Sequence, residues 1–303
     1  MAWAQPWTFP FDALPYRFNL ECLADWQLGS RSTCKWKIEQ HIDDILERAK
    51  TTDSGVIFAG DIEDEDRPST RAIRQQIAAE RAEVVERDAE KHMAWLDRDV
   101  VPLLLRLHKG TKYGILGGVA GHNWTKLSPA LNSVQYLFGE VQRKTGKPCV
   151  YLGEMVSFID FRFRSTNGNK HAIKQIGLLQ HGEGGGQTKG STISKLERAA
   201  QGFDADFYIR GHDCQLVGTK TDQLYPKESH GGMPEIHSRT KVMLNLGAAT
   251  MGYEMRKESS SYIEQGMMRP ATMGWGTIKF RIRHSWTNED ENKNLRADMS
   301  LEF

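Results

Sequence analysis

The chain has 303 residues, with 40 Lys and Arg against 39 Asp and Glu and a net charge of +1. A hydrophobic share of 39% beside 26% charged residues excludes a disordered chain. The charge balance excludes a globally basic protein that coats nucleic acid, though not a local basic groove, and no run nears 18 consecutive apolar residues, which argues against a helical membrane span.

Residues 1–15 carry Trp3, Trp7, Phe9 and Phe11 among three prolines. A basic start followed by an apolar run is missing, so the segment reads as an extended arm on the body and not as a secretory signal. Residues 16–303 read as one domain. Cys22, Cys34, Cys149 and Cys214 include no CxxC pair, so the expected compartment is the reducing cytoplasm.

Residues 17–24 (RFNLECLA) read as a strand ending at Asp25. Ile38, Ile42, Ile45, Leu46 and Ala49 recur at helical spacing and predict a helix over 33–50. Gly55–Ala59 is a short apolar strand ending at Gly60-Asp61, and runs of this kind suit parallel strands buried on both faces. A long helical region follows over 67–110, capped by Ser69 or Thr70 and kinked or split at Pro102. Leu96, Val100, Leu103, Leu104 and Leu107 mark its apolar face. It exceeds an ordinary crossover and reads as an inserted helical hairpin or elongated helix pair. Lys112–Leu116 is the next strand, followed by a glycine-rich loop, GGVAGHNW, and a helix near 130–145. Strands are then expected at 150–163, at 172–180 ending at His181, and at 206–209 ending at Gly211-His212. A helix near 191–201 precedes the last of these. Residues 242–246 and 277–283 read as late strands. The polar stretches 221–239 and 254–270 read as loops.

Ligand-type residues fall just past the strand ends: Asp25 and Gln27, Asp61, His122 and Asn123, His181, and His212 with Cys214. In an α/β sheet such positions gather along one rim. Carboxylates, imidazoles and amide oxygens brought together make a donor set for divalent metals.

The segments Asp25-Trp-Gln27, Gly60-Asp61, Gly121-His-Asn123, His181-Gly182 and Gly211-His-Asp-Cys214 stand in order, each after an apolar run. In that order they resemble the motifs of the calcineurin-like metallophosphoesterase superfamily over about residues 17–285. The turn Asn245-Leu-Gly247 resembles the family's closing glycine turn. The resemblance implies an α/β fold, a four-layer α/β/β/α sandwich of two mixed sheets flanked by helices, with an inserted helical region near 67–110. It implies a phosphoester hydrolase of phosphodiesterase or nuclease type that uses two divalent ions, Mn²⁺, Zn²⁺ or Fe²⁺. Asp61 would bridge the ions with its two oxygens. One ion would take Asp25, the position of Gln27, Asp61 and the position of Cys214. The other would take Asp61, an oxygen of the Asn123 type, His181 and His212. Two ions about 3.5–4 Å apart would activate a water for in-line attack on phosphorus, and no separate strong base is then needed. The expected partner is a phosphoester substrate, nucleic acid included, and no membrane.

The chain departs from the family pattern at three places. Gln27 stands where the family usually has His; its oxygen is neutral and binds Zn²⁺ or Fe²⁺ more weakly than imidazole does. Cys214 stands where a second His is usual, and a thiolate there would favour Zn²⁺ over Mn²⁺ or Mg²⁺. Both changes fall on the same ion, so that ion is expected to be altered or weak while the His181 and His212 side is nearly complete. The order Gly-His-Asn also replaces Gly-Asn-His. Either His122 takes the ligand position, or the loop shifts by one so that Asn123 ligates and His122 protonates the leaving group. Trp124 replaces the acidic neighbour that would orient that histidine. These departures carry two further expectations: a catalytically degenerate member acting as a metal- or phosphate-binding interaction module, and a zinc-specialised hydrolase with Cys214 as ligand.

Glu63 and Asp64 read as surface residues, or as residues lying just behind the metal ligands. Arg67 and Arg71, nearest to Asp61, are the basic residues considered as substrate contacts. Gly182, Gly184, Gly185 and Gly186 lack the spacing of a P-loop and read as a loop whose backbone passes close to metal or substrate. His41, His92, His108, His171, His230 and His237 read as surface or core groups.

Overall fold

Buried apolar runs of five to eight residues need partners on both faces, and the chain meets this need with two facing sheets. The computed structural model describes residues 2–3, 6–30, 33–64, 82–166, 172–183, 188–228, 234–250, 273–284 and 295–303. One sheet has the order β15-β14-β3-β4-β5-β8, formed by Leu295–Glu302, Gly276–His284, Tyr16–Leu23, Asp53–Ala59, Ile115–Val119 and Val150–Tyr151. The other runs β9-β10-β11-β13-β12, formed by Val156–Ser165, Ala172–His181, Phe207–Gly211, Pro234–Asn245 and Val217–Glu228. β1 (Ala2–Trp3) and β2 (Trp7–Phe11) pair in parallel with successive parts of β9. A small hairpin, β6 (Lys126–Ser128) and β7 (Leu131–Asn132), stands apart.

Both sheets are mixed. Strands β3, β4, β5 and β8 are mutually parallel, as are β10, β11 and β13, while β14 and β15 and the pairs β9–β10 and β12–β13 are antiparallel. Helices α1 (Lys35–Ala49), α2 (Ala82–Trp95), α3 (Val101–Gly110), α4 (Ser133–Thr145) and α5 (Lys189–Gly202) complete the described body. α3 packs between α1 and α4 on the side of β5, and α5 packs on β11, β12 and β13. The layers are therefore α/β/β/α, as the resemblance implies. Local signals start the helices: Asn132 accepts from Gln135 N at 2.7 Å to cap α4, and Thr188 accepts from Ser191 N at 3.2 Å to cap α5.

The space between the sheets is filled by aromatic rings. Phe9 and Phe161 lie 5.0 Å apart, edge to face, and Phe207 meets Phe280 of the opposite sheet at 5.4 Å in the same manner. Such pairs add about 0.5–1.5 kcal/mol each beyond the area they bury. Phe9 and Phe11 of the first fifteen residues are buried in this core.

Several boundaries differ from the expected ones. The strand expected at 112–116 runs instead over Ile115–Val119, taking in Gly117 and Gly118 that read as loop. The reason is close packing, since a Cβ on Gly117 would lie 2.3 Å from the Val150 carbonyl oxygen. The helical region is described from Ala82 and is interrupted by a π-helical turn over Leu96–Val100. Pro102 sits in the first turn of α3, where it has no N–H to leave unpaired. Of the stretch expected as a loop, residues 221–228 and 234–239 belong instead to the long ribbon of β12 and β13, whose backbone groups pair with each other from Val217–Asn245 to Glu228–Pro234, and residues 229–233 lie outside the described residues. Its outer part is exposed, so polar side chains cost nothing there. The C-terminal strand β15 has no strong sequence signal, because it is an edge strand that is half-exposed along its length. Ser69, Thr70 and residues 254–270 lie outside the described residues. Among the described residues, no helix is long and apolar enough to cross a membrane.

Candidate metal centre

The rim is built by backbone before it is built by side chains. Among the described residues, the non-glycine positions with positive φ are Asp25 (51°), Gln27 (47°), Asp61 (52°), His212 (80°) and Cys214 (49°). Each left-handed residue costs on the order of 1–2 kcal/mol, and such strain concentrates at functional sites. All five are candidate site residues. Main-chain bonds tie the turns together: Asp25 N donates to Gly60 O at 3.0 Å, Gln27 N to Asp61 O at 3.0 Å, and Asp61 N to Ala120 O at 2.9 Å. Gly60, at φ 100°, lets His181 come in, since a Cβ there would lie 2.5 Å from the imidazole Nδ1.

The two carboxylates are almost fully buried, at 1% exposure for Asp25 and 2% for Asp61. Asp61 Oδ1 accepts from His122 N at 2.7 Å and Asn123 N at 2.8 Å, and its Oδ2 accepts from the Asn123 amide at 3.2 Å. Asp25 Oδ2 accepts from His212 N at 2.9 Å, while Asp25 Oδ1 has no hydrogen-bond partner among the described residues. Burial pushes the Asp25 carboxyl up to about 7, against the pull of His181. Burial would raise Asp61 as well, but the charge of His181 and the donors on its oxygens hold it below the usual carboxylate range.

His181 is buried at the end of β10. Its Nδ1 lies 2.7 Å from the Ala59 carbonyl, which can only accept, so Nδ1 carries the proton and Nε2 faces Asp61 Oδ2 at 3.2 Å. Burial would lower this imidazole, but Asp61 and Asp25 lift it to about 9, so without a cation Nε2 is protonated as well and faces Asp61 as a donor, and a bound cation would take the place of that proton. The ring of His122 lies 5.0 Å from that of His181 and 4.7 Å from that of His212. Burial, then the charges of His181 and His122, hold His212 at about 4. Ligand-type atoms of His122, His181 and His212 all lie within 4.8 Å of one another, and so do those of Asp25, Asp61 and His181.

Gln27 and Cys214 occupy strained rim turns, Cys214 joins neither group, and both side chains are engaged elsewhere. Gln27 Oε1 accepts from the Thr250 hydroxyl at 3.1 Å. The Cys214 thiol points to the His212 carbonyl at 3.5 Å. It is held well above its ordinary range by burial, and then by Asp25, Asp61 and Asp213. The donor chemistry therefore fits divalent cations best on the side of Asp25, Asp61 and the three imidazoles. A buried carboxylate oxygen without a donor, beside an imidazole nitrogen aimed inward, is what a cation would relieve.

Glu63 is not a surface residue. It is 1% exposed, with Oε2 2.6 Å from Nε2 of the equally buried His92 on α2. Its Oε1 accepts from Thr125 N at 3.0 Å, so the pair fastens the inserted helix and the His122–Asn123 loop to the Asp61 turn. Asp64 is half-buried and donates its N–H to Leu28 O at 2.8 Å. His108 is a core group and His41 is half-buried. Arg67, Arg71, Gly184, Gly185, Gly186, His171 and His230 lie outside the described residues, as does the side chain of His237.

No protein-family model matches the chain, and a comparison with curated proteins finds none similar to it. Solved structures similar to it include a conserved uncharacterised protein of Streptococcus pneumoniae, described as a predicted phosphoesterase. That match has 11% identity and a TM-score of 0.29, over 94% of this chain and 98% of that one. Chaetomium thermophilum Vps29 is similar at 11% identity and a TM-score of 0.29, over 95% of this chain and 97% of that one. A likeness that loose carries no weight for activity. The chain's own layers and strand order are those of an α/β/β/α sandwich of two mixed sheets, the architecture that the resemblance of its motifs implies.

Proposed function

We propose that the chain is a metal-dependent phosphoester hydrolase, with phosphodiesters, nucleic acid included, as its substrate class and the cytoplasm as its compartment. The observation that carries this reading is the convergence of Asp25, Asp61, His122, His181 and His212 from five separate turns, around a buried carboxylate oxygen that no described donor reaches. Asp25, Asp61 and His181 would hold one divalent cation, and His122 and His212 would face a second. His181 offers one free nitrogen and serves one ion, whereas Asp61 has two oxygens and is the group able to face both. A bound pair of cations supplies Lewis acidity toward a phosphoryl oxygen and lowers the pKa of water.

The chain's own residues do the positioning. Two backbone N–H groups and the Asn123 amide hold the Asp61 carboxylate in one orientation. The Ala59 carbonyl holds the Nδ1 proton of His181, so Nε2 is the nitrogen that would give its electrons to a cation once its own proton is displaced. His122, whose ring lies with His181 and His212, takes a ligand role, and Asn123 orients Asp61. The test is hydrolysis of bis(p-nitrophenyl) phosphate with added Mn²⁺, Zn²⁺ or Fe²⁺, abolished by a chelator. Absence of turnover with all three ions overturns the reading.

A second reading, an interaction module that binds metal or phosphate without turnover, draws on Gln27 and Cys214. Both ends of that side are engaged by Thr250 and the His212 carbonyl. One bound ion per chain without hydrolysis supports the module, and about two ions with hydrolysis support the enzyme.

A further inference from the structure

Beside His181 a cavity of about 420 Å³ opens to solvent, lined in part by Gly182, Glu183, Lys195, Arg198 and Arg210. Arg210 comes from β11, an otherwise apolar buried strand, and only 7% of it is exposed. A buried guanidinium normally has its donors satisfied. One terminal nitrogen of Arg210 donates to the Glu183 carbonyl at 3.2 Å. Its Nε lies 3.5 Å from Asp213 and makes no hydrogen bond among the described residues. The Asp213 carboxylate is buried and is shared with Lys195, whose Nζ lies 2.7 Å away. Arg198, one turn along α5 from Lys195, adds a third cation at the same cavity, against Asp213 and the exposed Glu183. The backbone at Gly182 lies flat on the guanidinium, since a Cβ there would sit 2.1 Å from one of its nitrogens. A buried cation given half a carboxylate, next to a solvent-open cavity with two more cations, is a site built for an anion.

We propose that this cavity binds a second phosphate group of the substrate, with the scissile one at the Asp61–His181 cluster. The proposal rests on the hydrolase reading for the first phosphate. His181 lines both places, so the second phosphate belongs to the same molecule and not to a remote site. The preferred substrates carry two phosphates near one another, as a diphosphate or as neighbouring phosphates of a short polynucleotide. An isolated phosphodiester would leave the cavity unused.

Lys195→Met with Arg198→Met tests this, because both residues lie on α5 and Arg210 stays in the core. Circular dichroism and the melting temperature confirm that the variant folds. With Mn²⁺ present, KM is measured for a dinucleotide with and without a terminal phosphate, and for a diphosphate diester. In the variant, KM for the phosphorylated dinucleotide or the diphosphate diester is expected to rise about tenfold relative to KM for the plain dinucleotide. Whichever of the two shifts more identifies the source of the second phosphate. Ratios equal to those of the wild type overturn the proposal. Arg198→Ser alone repeats the test with an exposed residue and a smaller expected shift. If the wild type hydrolyses none of these substrates, the hydrolase reading fails separately. Calorimetry with pyrophosphate then decides the subsite: about tenfold weaker binding in the double variant supports it, and equal binding or none overturns it.

Discussion

The rim has two sides that share a backbone and differ in chemistry. Asp61 and His212 on one side, and Gln27 and Cys214 on the other, all sit in left-handed turns, with φ between 47° and 80°. On the first side the strained turns present a carboxylate and an imidazole that join His122 and His181. On the second they present an amide engaged by Thr250 and a thiol engaged by the His212 carbonyl. Backbone strain is therefore a property of the loops and persists where the donor is poor. Donor identity, not loop shape, sets where a cation would be held.

The strongest way to break this contrast is to remove the group common to both candidate ions. Asp61→Ala is expected to lower hydrolysis by about two orders of magnitude or more and to empty the site by elemental analysis. Full activity in that variant removes the mechanism. The imidazole side also depends on the buried Glu63–His92 pair. His92→Leu leaves the buried Glu63 carboxyl without its side-chain partner, and denaturant unfolding should show a loss of about 3–5 kcal/mol. A change below about 1 kcal/mol would mean that the pair is not a fastening.

Acid should act at the opposite end of β5, away from the rim. His108 lies beneath β5, where its Nδ1 accepts from Ile115 N at 2.9 Å, and burial holds it at about 4. Its unfolded value is near 6.5, so below that pH the unfolded chain binds the extra proton and the folded chain does not. Stability is complete above about pH 6.5 and falls as pH drops toward 4, by about 3 kcal/mol from this group. His108→Gln should flatten that slope in unfolding curves taken between pH 7 and 4. An unchanged slope excludes His108 as its source.

The second side gives the smaller effects. Gln27→His adds an imidazole to a turn already in a ligand's conformation and should tighten metal binding about tenfold by equilibrium dialysis. Cys214→Ala should leave metal content within about twofold of the wild type. A large loss there would make Cys214 a ligand and assign the site to zinc.

Much of the rim was legible because each turn is local. An apolar run followed at once by Asp, His or Gly-His announces a strand end, and parallel strands put such ends together. Asp25, Asp61, His122, His181 and His212 were placed on the rim this way, and the structure brings them together. The order within Gly121-His-Asn123 could not be read from spacing, because it depends on which atom reaches Asp61, a contact 61 and 62 residues away along the chain. The pairing of Glu63 with His92 could not be read from the sequence, because an acidic run looks solvated until its partner helix is in place. Arg210 carried a visible signal, a cation inside the buried strand FYIRG, but its meaning depends on Asp213 and Lys195. The ribbon of β12 and β13 was missed because its outer strands face solvent on both sides and show no hydrophobic alternation.

The most direct measurement is divalent metal content after equilibrium dialysis against Mn²⁺ or Zn²⁺, for the wild type and for Asp61→Asn. This variant keeps the volume of the side chain and removes its charge. About two ions per chain in the wild type, and close to none in the variant, is the predicted result. Equal content in both proteins, or none in either, would contradict a cation site built on these five turns.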